Sequence, residues 1–289
     1  MKPILIHCHI FYSELWKELK QCILNVSPYP FELYVTMVEK HPNLERDIRK
    51  TFPKAHLEVV ANRGYDIGPF VHILNKVNLD KYSYVIKLHT KRDMRRVDIG
   101  FRRMHSSIWR ENLLQPFKSS ELFKKYMDCF ESNPQVGMQA NYKLIVHHDI
   151  YDNEAQKAMK NWLKKHHLPK IKYAFVGGTM FIVQAHLFKF FQNLNIQLSD
   201  FPEPKMLKNY HESQLAHIME RLFGYCVYYQ GYIVADSDVS FLKRHFYYAL
   251  IVMYQLVQPT FNFFFQKKVT KSGRLTVKIL KIPVYWRKV

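Results

Sequence analysis

Polar residues that could bind an anionic ligand follow three short apolar runs in the first third of the chain. The first run ends in His7-Cys8-His9, the third leads into the stretch from Asn62 to Phe70, and the fourth ends in His89-Thr90-Lys91. Ligands of parallel sheets lie at the carboxyl ends of the strands, so these three loops should converge on one edge. We therefore predict a site in which histidines and cations surround one carboxylate.

The stretch from Asn62 to Phe70 is the most informative of the three. Gly64 and Gly68 predict an unusual backbone turn with exposed amide N–H groups, and Arg63 adds a guanidinium fork that matches a phosphate. Asp66 lies at the centre of this turn. In the alternative interpretation the turn is purely structural, and Asp66 caps the helix that follows it.

His89 and Lys91 place positive charge directly after a buried strand. A diphosphate leaving group needs such charge, which either a divalent ion on two carboxylates or fixed cationic side chains can supply. The alternative is a solvated loop. Paired histidines also suggest a metal, but none has the i, i+4 spacing with Glu that zinc hydrolases use. We predict no metal site and interpret the later histidine pairs as surface: His147, His148, His166 and His167.

A helix near the C-terminal end of the main domain offers carboxylates for catalysis. Glu212 stands in its first turn, and His217 and Glu220 are i, i+3 neighbours on one face. A carboxylate beside a cleft could act as the general base for a sugar hydroxyl. Alternatively, Glu212 only complements the helix dipole, and Glu220 forms a structural ion pair with Arg221.

These residues require a scaffold in which strands and helices alternate. Apolar runs predict strands at 4–9, 31–36, 57–61, 84–88, 136–140 and 175–183, with one or two more at 225–234. Three-to-four spacing predicts helices at 12–26, 43–52, 70–77, 106–114, 120–133, 185–193 and 212–223, the last with Gly224 as its C-cap. A polar, His-rich insertion occupies about 142–170. The fold class is therefore α/β, with a mostly parallel central sheet and flanking helices.

Composition divides the chain into two parts. The 289 residues carry a net charge of +19 and 15% aromatic residues, which excludes wholesale disorder, and four scattered cysteines exclude a disulfide scaffold. Residues 1–239 are predicted to form the α/β domain. Residues 240–289 contain ten Lys/Arg and no acid, around an uncharged stretch, 245–266, that is rich in aromatic residues. We favour a helix in the headgroup region of an anionic leaflet over a membrane span or a helix packed on the core.

Several motifs occur together in the order of a known family. They are H-x-H-I-F-Y from His7, N-R-G-Y-D-I-G-P-F from Asn62, K-L-H-T-K from Lys87, W-R from Trp109, G-G-T-M-F from Gly177, D-F-P from Asp200 and L-A-H-I-M-E-R-L-F-G from Leu215. Over roughly residues 4–232 the chain resembles rhamnan synthesis protein F. The resemblance implies a glycosyltransferase-A-like domain that transfers rhamnose or a related sugar during rhamnan, O-antigen or lipopolysaccharide assembly. Where the family has D-G-T, this chain has Glu212-Ser213-Gln214, so Glu212 is expected to replace the catalytic Asp.

The resemblance and the charge pattern together give an expected set of roles. The expected donor-binding residues are His7, His9, Asn62, Arg63, Asp66, His89, Lys91, Gly178, Thr179 and Arg221. The expected catalytic residues are Glu212, Glu220 and His217. The expected ligands are a nucleotide-sugar donor such as dTDP-rhamnose and a glycan or lipid-linked acceptor, with no required cofactor and a divalent metal as the open alternative.

The N-terminal apolar run is too short for a secretory signal, so we expect a cytoplasmic protein, peripheral on the inner face of the cell membrane through residues 240–289. Other glycan-synthesis enzymes are further expected partners, and no nucleic acid is expected. Two competing hypotheses remain open: a basic nucleic-acid-binding protein, in keeping with a pI near 9.6, and a non-catalytic scaffold of a glycan-synthesis complex.

Overall fold

The computed structural model of the chain describes residues 2–92, 97–99, 102–104, 106–147, 154–203, 215–237, 253, 265–269, 274–279 and 282–288. By its internal contacts the chain divides into two compact units, Met1–Val239 and Ser240–Val289. The first unit carries all the residues predicted to bind a donor or to catalyse transfer.

Strands and helices alternate through the first unit. Its strands are β1 (Ile4–Ile10), β2 (Phe31–Met37), β3 (His56–Val59), β4 (Tyr84–His89), β5 (Val97–Ile99), β6 (Arg102–Met104), β7 (Val136–Gln139), β8 (Ile145–His147), β9 (Ala174–Val176), β10 (Phe181–Gln184) and β11 (Ile233–Ala235). Its helices are α1 (Trp16–Leu24), α2 (Pro42–Thr51), α3 (Ile67–Lys76), α4 (Ser106–Leu114), α5 (Ser120–Ser132), α6 (Glu154–Lys165), α7 (Lys189–Asn193) and α8 (Leu215–Tyr229). Through β7 the predicted elements start and end within a few residues of the observed ones, but β5 and β6 were not predicted.

Seven strands form the central sheet, in the order β11-β7-β10-β4-β1-β2-β3. Strand β10 is antiparallel to both its neighbours, and the remaining pairs are parallel. The predicted α/β class with a mostly parallel sheet is confirmed. The chain runs outward from β1 to β3 and then returns to β4 on the other side of β1, so β1 and β4 flank the switch point where ligands of such sheets bind.

Aromatic rings fill the core between the sheet, α3 and α8. The ring centroids of Phe70, Phe181, Phe188 and Phe223 lie 5.5 to 6.1 Å from one another. All four side chains are buried. This cluster holds α3 and α8 in place, and their N-terminal parts carry Asp66 and His217.

The predicted strand at 175–183 is wrong in its extent. It is two strands, β9 and β10, separated by a turn in which Gly178 has a φ of +83° and Thr179 a φ of +54°. Left-handed backbone cannot continue a strand, so the apolar run is broken at the glycines. Strand β9 pairs instead with β8.

Gly224 was predicted to cap the last helix, and this prediction is also wrong. Helix α8 continues through Gly224 to Tyr229, so the predicted strands at 225–234 reduce to β11. A Cβ atom on Gly224 would lie 2.0 Å from the backbone oxygen of Ala174. The glycine therefore allows β9 to approach the helix closely.

The region from 142 to 170 is more than a polar insertion. It contains β8 and α6, and α6 buries Ala155, Met159 and Leu163 against the core. His166 and His167 are exposed, as expected, and the ring of His166 stacks on Trp162. His148 lies outside the described residues.

The second unit contains a three-stranded antiparallel sheet of β12 (Phe265–Val269), β13 (Arg274–Ile279) and β14 (Ile282–Lys288). The sequence analysis did not predict these strands. The predicted helix at 245–266 falls almost entirely outside the described residues. Among the residues that are described, no helix is long and apolar enough to cross a membrane.

Candidate functional site

A row of polar side chains crosses the buried face of the sheet at the switch point. The parallel register places His7 beside Lys87 and His9 beside both His89 and Thr36. The Thr36 hydroxyl bonds both histidines, at 2.9 Å from Nε2 of His7 and 3.0 Å from Nδ1 of His9. All five side chains are buried, so strands β1, β2 and β4 bring together the predicted histidines and one lysine that was not predicted.

Asp66 is the centre of this row. Its Oδ2 atom accepts hydrogen bonds from Nζ of Lys87 and from the hydroxyl of Thr179, the latter at 2.7 Å, and lies 3.4 Å from Nδ1 of His89. Lys87 also donates to the Thr179 hydroxyl at 2.8 Å, which closes a triangle. Asp66 occupies the N-cap position of α3 but its carboxylate makes no cap hydrogen bond, so the alternative of a simple helix cap is wrong.

The turn that carries Asp66 is shaped by glycine, as predicted. Gly64 and Tyr65 have φ values of +68° and +56°, and a Cβ on Gly68 would lie 2.1 Å from the backbone oxygen of Arg63. The predicted exposure of its amides is only partly right. The N–H groups of Ile67 and Gly68 donate to the Gly64 carbonyl, because the turn winds directly into α3.

Arg63 holds a loop of the protein. Its Nη1 atom donates to the carbonyls of Ser199 and Phe201, both at 3.0 Å, and its Nη2 atom bonds Oε1 of Glu203 at 2.6 Å. The ring of Phe201 lies against Gly64, where a Cβ would be 2.4 Å away. Three N–H groups of the guanidinium that was predicted to bind phosphate therefore donate to groups of the protein itself. Its predicted neighbour Asn62 is exposed.

Glu220 on α8 connects to the same site through the β9–β10 turn. Its Oε1 atom accepts the backbone N–H of Gly178 at 2.8 Å, next to the Thr179 that bonds Asp66. Its Oε2 atom lies 3.9 Å from Nη1 of Arg221. That guanidinium is buried, donates to the His217 carbonyl and stands 5.0 Å over the ring of Phe175.

His217 and Glu212 are the two remaining residues that were predicted to be catalytic. The His217 ring lies 6.4 Å from the ring of Tyr65, so α8 brings this histidine to the Asp66 turn. Glu212 lies outside the described residues.

Residues at the ends of β1 and β4 complete the edge of the site. The Thr90 hydroxyl accepts the backbone N–H groups of Phe11 and Tyr12, at 2.9 and 3.0 Å. This fixes an exposed aromatic ring, Phe11, beside the predicted loop. Nζ of Lys91 lies 4.9 Å above the ring of Trp109.

The sequence analysis missed Lys87 and Phe11. The period of two along a strand was the available signal for Lys87, since it places residue 87 on the same face as His89.

Burial and charge set the protonation of the central groups. Burial alone would raise the pKa of the Asp66 carboxyl, but His89, Lys87 and Lys91 hold that pKa well below its usual value. Burial lowers the pKa of His7 and of His89 well below the usual range and that of His9 to about 4. Burial also lowers the pKa of Lys87, while the Asp66 carboxylate beside it acts to raise it. The three histidines are therefore neutral at neutral pH, and Lys87 faces the ionised Asp66.

A metal centre is not formed by these side chains. Within the part of the chain that the structure describes, no group of three or more His, Cys, Asp or Glu is placed to hold a metal ion.

The fold and the buried cluster together define an α/β protein with charged and polar side chains at the switch point of its sheet. A family model described as Rhamnan synthesis protein F matches residues 1–232, and the chain belongs to this family. The resemblance stated from the motifs is confirmed.

Curated relatives are longer than this chain. Two proteins named Uncharacterized protein WxcX, from two strains of Xanthomonas campestris pv. campestris, are each 24% identical to it over 233 residues. The match covers 80% of this chain and 32% of each relative, so the chain spans about a third of their length. Among solved structures, the crystal structure of S. aureus TarS 1-349 is similar with a TM-score of 0.40 and 12% identity, over 82% of this chain and 59% of that one.

Proposed function

We propose that residues 1–239 are a glycosyltransferase domain of cell-surface polysaccharide synthesis, which transfers rhamnose or a related sugar from a nucleotide-sugar donor such as dTDP-rhamnose. Membership of the rhamnan synthesis protein F family supports the class of product. The observation that carries the proposal is the state of Asp66, which is fixed from inside the fold while its side chain remains 16% exposed.

Asp66 is suited to bind the uncharged part of the donor. Its Oδ2 atom takes the bonds from Lys87 and Thr179, whereas Oδ1 makes no hydrogen bond with any residue that the structure describes. An ionised carboxylate oxygen accepts a hydrogen bond from a sugar hydroxyl or a base N–H and repels a phosphate. Asp66 would therefore orient the sugar or the base, and the exposed ring of Phe11, directly after β1, would offer an aromatic surface.

The diphosphate would lie toward Lys91. The sequence analysis expected both His89 and Lys91 to offset the charge of the diphosphate. Burial lowers the pKa of His89 so that it is neutral at physiological pH, and Lys91 would therefore supply this positive charge. Lys87 already balances Asp66, where a metal-dependent enzyme would use a divalent ion. We propose a metal-independent reaction; loss of transfer on chelation, with recovery on adding Mg²⁺ or Mn²⁺, would disprove it.

Glu220 is the described carboxylate best placed to deprotonate an acceptor. The Gly178 N–H fixes Oε1, and the side chain is 19% exposed. In the proposed step the acceptor hydroxyl gives its proton to Glu220 as its oxygen bonds the anomeric carbon, and the nucleoside diphosphate leaves with the electron pair of the broken bond. A single displacement inverts the configuration at that carbon, so a product with retained configuration would exclude it. Glu212 remains the alternative base.

The acceptor is proposed to be a lipid-linked glycan at the inner face of the membrane. Ten cations and no acid in residues 240–289 support attraction to an anionic leaflet. This would hold the domain close to its acceptor and to other enzymes of glycan synthesis.

The first test is a thermal-shift screen of the full chain against dTDP-rhamnose, other nucleotide sugars and free nucleotides, with and without divalent metal. Ligands that bind only the folded state raise its apparent stability. We expect one nucleotide sugar to raise the melting temperature of the wild type and of Asp128→Asn, which alters an exposed ion pair, but not that of Asp66→Asn. An equal response from all three proteins would remove Asp66 from the site. No response to any donor would favour the scaffold hypothesis, or nucleic-acid binding if RNA or DNA bound instead.

A further inference from the structure

We infer that one face of the C-terminal sheet is the surface that contacts anionic lipid headgroups. This inference refines the proposed membrane association of residues 240–289 and is independent of the transfer reaction. It adds a defined set of positions on strands β12, β13 and β14 to the predicted helix at 245–266, which lies almost entirely outside the described residues.

The register of the sheet sorts its cations by face. Positions alternate between faces along each strand, and paired positions on neighbouring strands share a face. Lys268 pairs with Thr276, which pairs with Trp286, and Arg274 pairs with Lys288. Lys278 comes two positions after Thr276 and four positions after Arg274 along β13, so it lies on the same face. We call the face with these four cations the basic face: Lys268, Arg274, Lys278 and Lys288.

The opposite face is mainly apolar by the same rule. Its positions include Phe265, Val269, Leu275, Val277, Ile279 and Tyr285, together with Lys267 and Arg287. Of the six cations on the three strands, four therefore lie on the basic face and two on the opposite face. The sheet has one side suited to an anionic surface and one suited to an apolar environment.

The basic face pairs like charges across its strands, within a segment that has no Asp or Glu of its own. Arg274 lies directly opposite Lys288, and like charges in this arrangement destabilise a sheet. Residues 240–289 contain no Asp or Glu that could neutralise them. An external anion at this face would remove the repulsion, so the arrangement points to a ligand with repeated negative charges.

Lipid fits better than nucleic acid because of what adjoins the sheet. The uncharged, aromatic-rich stretch 245–266 leads directly into β12, and Trp286 occupies the basic face. An anionic bilayer rewards both the cations and neighbouring apolar side chains, and Trp is favoured at the membrane interface. A nucleic acid backbone rewards mainly the cations.

The test measures binding of the full chain to phosphatidylcholine vesicles with and without 30% phosphatidylglycerol, by co-sedimentation. The basic-face variant is Lys268→Gln/Lys278→Gln, and the matched control Lys267→Gln/Arg287→Gln removes the same charge from the other face. Each cation near an anionic surface contributes about 1 kcal/mol, so we expect the basic-face variant to bind about 25-fold more weakly. The control should lose only about two- to threefold, because its cations stand farther from the lipid.

A charge-retaining variant, Lys268→Arg/Lys278→Arg, should bind like the wild type and separates loss of charge from loss of fold. Equal losses in the basic-face variant and the control would overturn the face assignment. Failure of the wild type to bind the anionic vesicles would overturn the membrane association itself, and DNA binding that the basic-face variant alone loses would reassign the face to nucleic acid. A thermal shift with a nucleotide sugar would still report donor binding in either case.

Discussion

Positive charge is handled in opposite ways in the two units of this protein. In the first unit two cations near the candidate site have acidic partners within the fold: Lys87 has Asp66, and Arg63 has Glu203. In the second unit ten cations share no acid at all, and two of them are paired across strands. A cation that is neutralised inside the fold organises a site, whereas cations without a counter-charge in their own segment indicate a partner outside it.

The largest effect is expected when substitution of Lys87 breaks its ion pair with Asp66. Lys87→Met should lower the free energy of unfolding by about 3 to 5 kcal/mol, because it leaves a mostly buried carboxylate without its counter-ion. The double variant Asp66→Asn/Lys87→Met should recover much of that loss, since a neutral amide beside an apolar side chain needs no counter-ion. Urea unfolding followed by circular dichroism measures both values. Additive losses in the double variant would show that the two side chains do not stabilise each other.

The second test is the dependence of the protein's stability on pH. The pKa of His9 is lowered to about 4 in the folded state, mainly by burial, against about 6.5 in an unfolded chain. Between these values the unfolded state binds the extra proton, so stability is full above about pH 6.5 and falls as the pH drops toward 4, by about 3 kcal/mol for this one histidine.

Replacement of His9 should flatten that pH dependence. His9→Gln is expected to lose less stability between pH 7 and pH 4 than the wild type in urea unfolding at each pH. His167→Asn is the control, because His167 is exposed in a left-handed conformation that Asn tolerates. An unchanged slope in His9→Gln would mean that His9 is not held neutral by the fold.

A smaller effect is expected where a cation is paired near the surface. Arg63→Lys should lower stability by about 1 kcal/mol, since a single ammonium cannot reach the Ser199 and Phe201 carbonyls and Glu203 together. Amide exchange should rise first at residues 197–203. Glu203→Gln, which removes only a half-exposed ion pair, should change the stability by less than about 1 kcal/mol.

The smallest effect belongs to the second unit and has the opposite sign. Arg274→Thr removes one of two like charges paired across β13 and β14, so we expect it to stabilise the sheet by about 0.2 to 1 kcal/mol. Slower amide exchange in residues 274–279 of the full chain would record it. Faster exchange would mean that Arg274 has an acidic partner after all, and would weaken the contrast between the units.

The fold was predictable where a strand is buried throughout or a helix is buried along one face. Every residue of β1 is buried, and α1 buries Trp16, Leu19, Cys22 and Ile23 at helical spacing, so pattern alone located both. Gly224 misled the analysis because its role depends on the Ala174 carbonyl, fifty residues earlier in the chain. The β9–β10 turn was hidden because apolar residues continue on both sides of Gly178.

The candidate site was predictable in its members but not in its connections. Asp66, His89 and Thr179 were all predicted as donor-binding residues, but a helix cap remained the alternative for Asp66, and Lys87 was quoted only as part of a motif. A lysine within a buried strand is explained only by its partners, which lie 21 and 92 residues away. Such pairings depend on the tertiary fold, and no local pattern encodes them.

The hydrogen bond between Asp66 and Thr179 has a consequence for how the protein is made. It joins residues 113 positions apart, across strands and helices that must first take their places. Contacts over such separations close large loops, and their entropic cost delays them relative to local structure. On the ribosome, β1 to β4 emerge well before Thr179, so Lys87 is synthesised long before its triangle can close. We therefore expect the site to assemble at a late stage of folding, when the β9–β10 turn reaches strands β1 to β4 and β10 joins them.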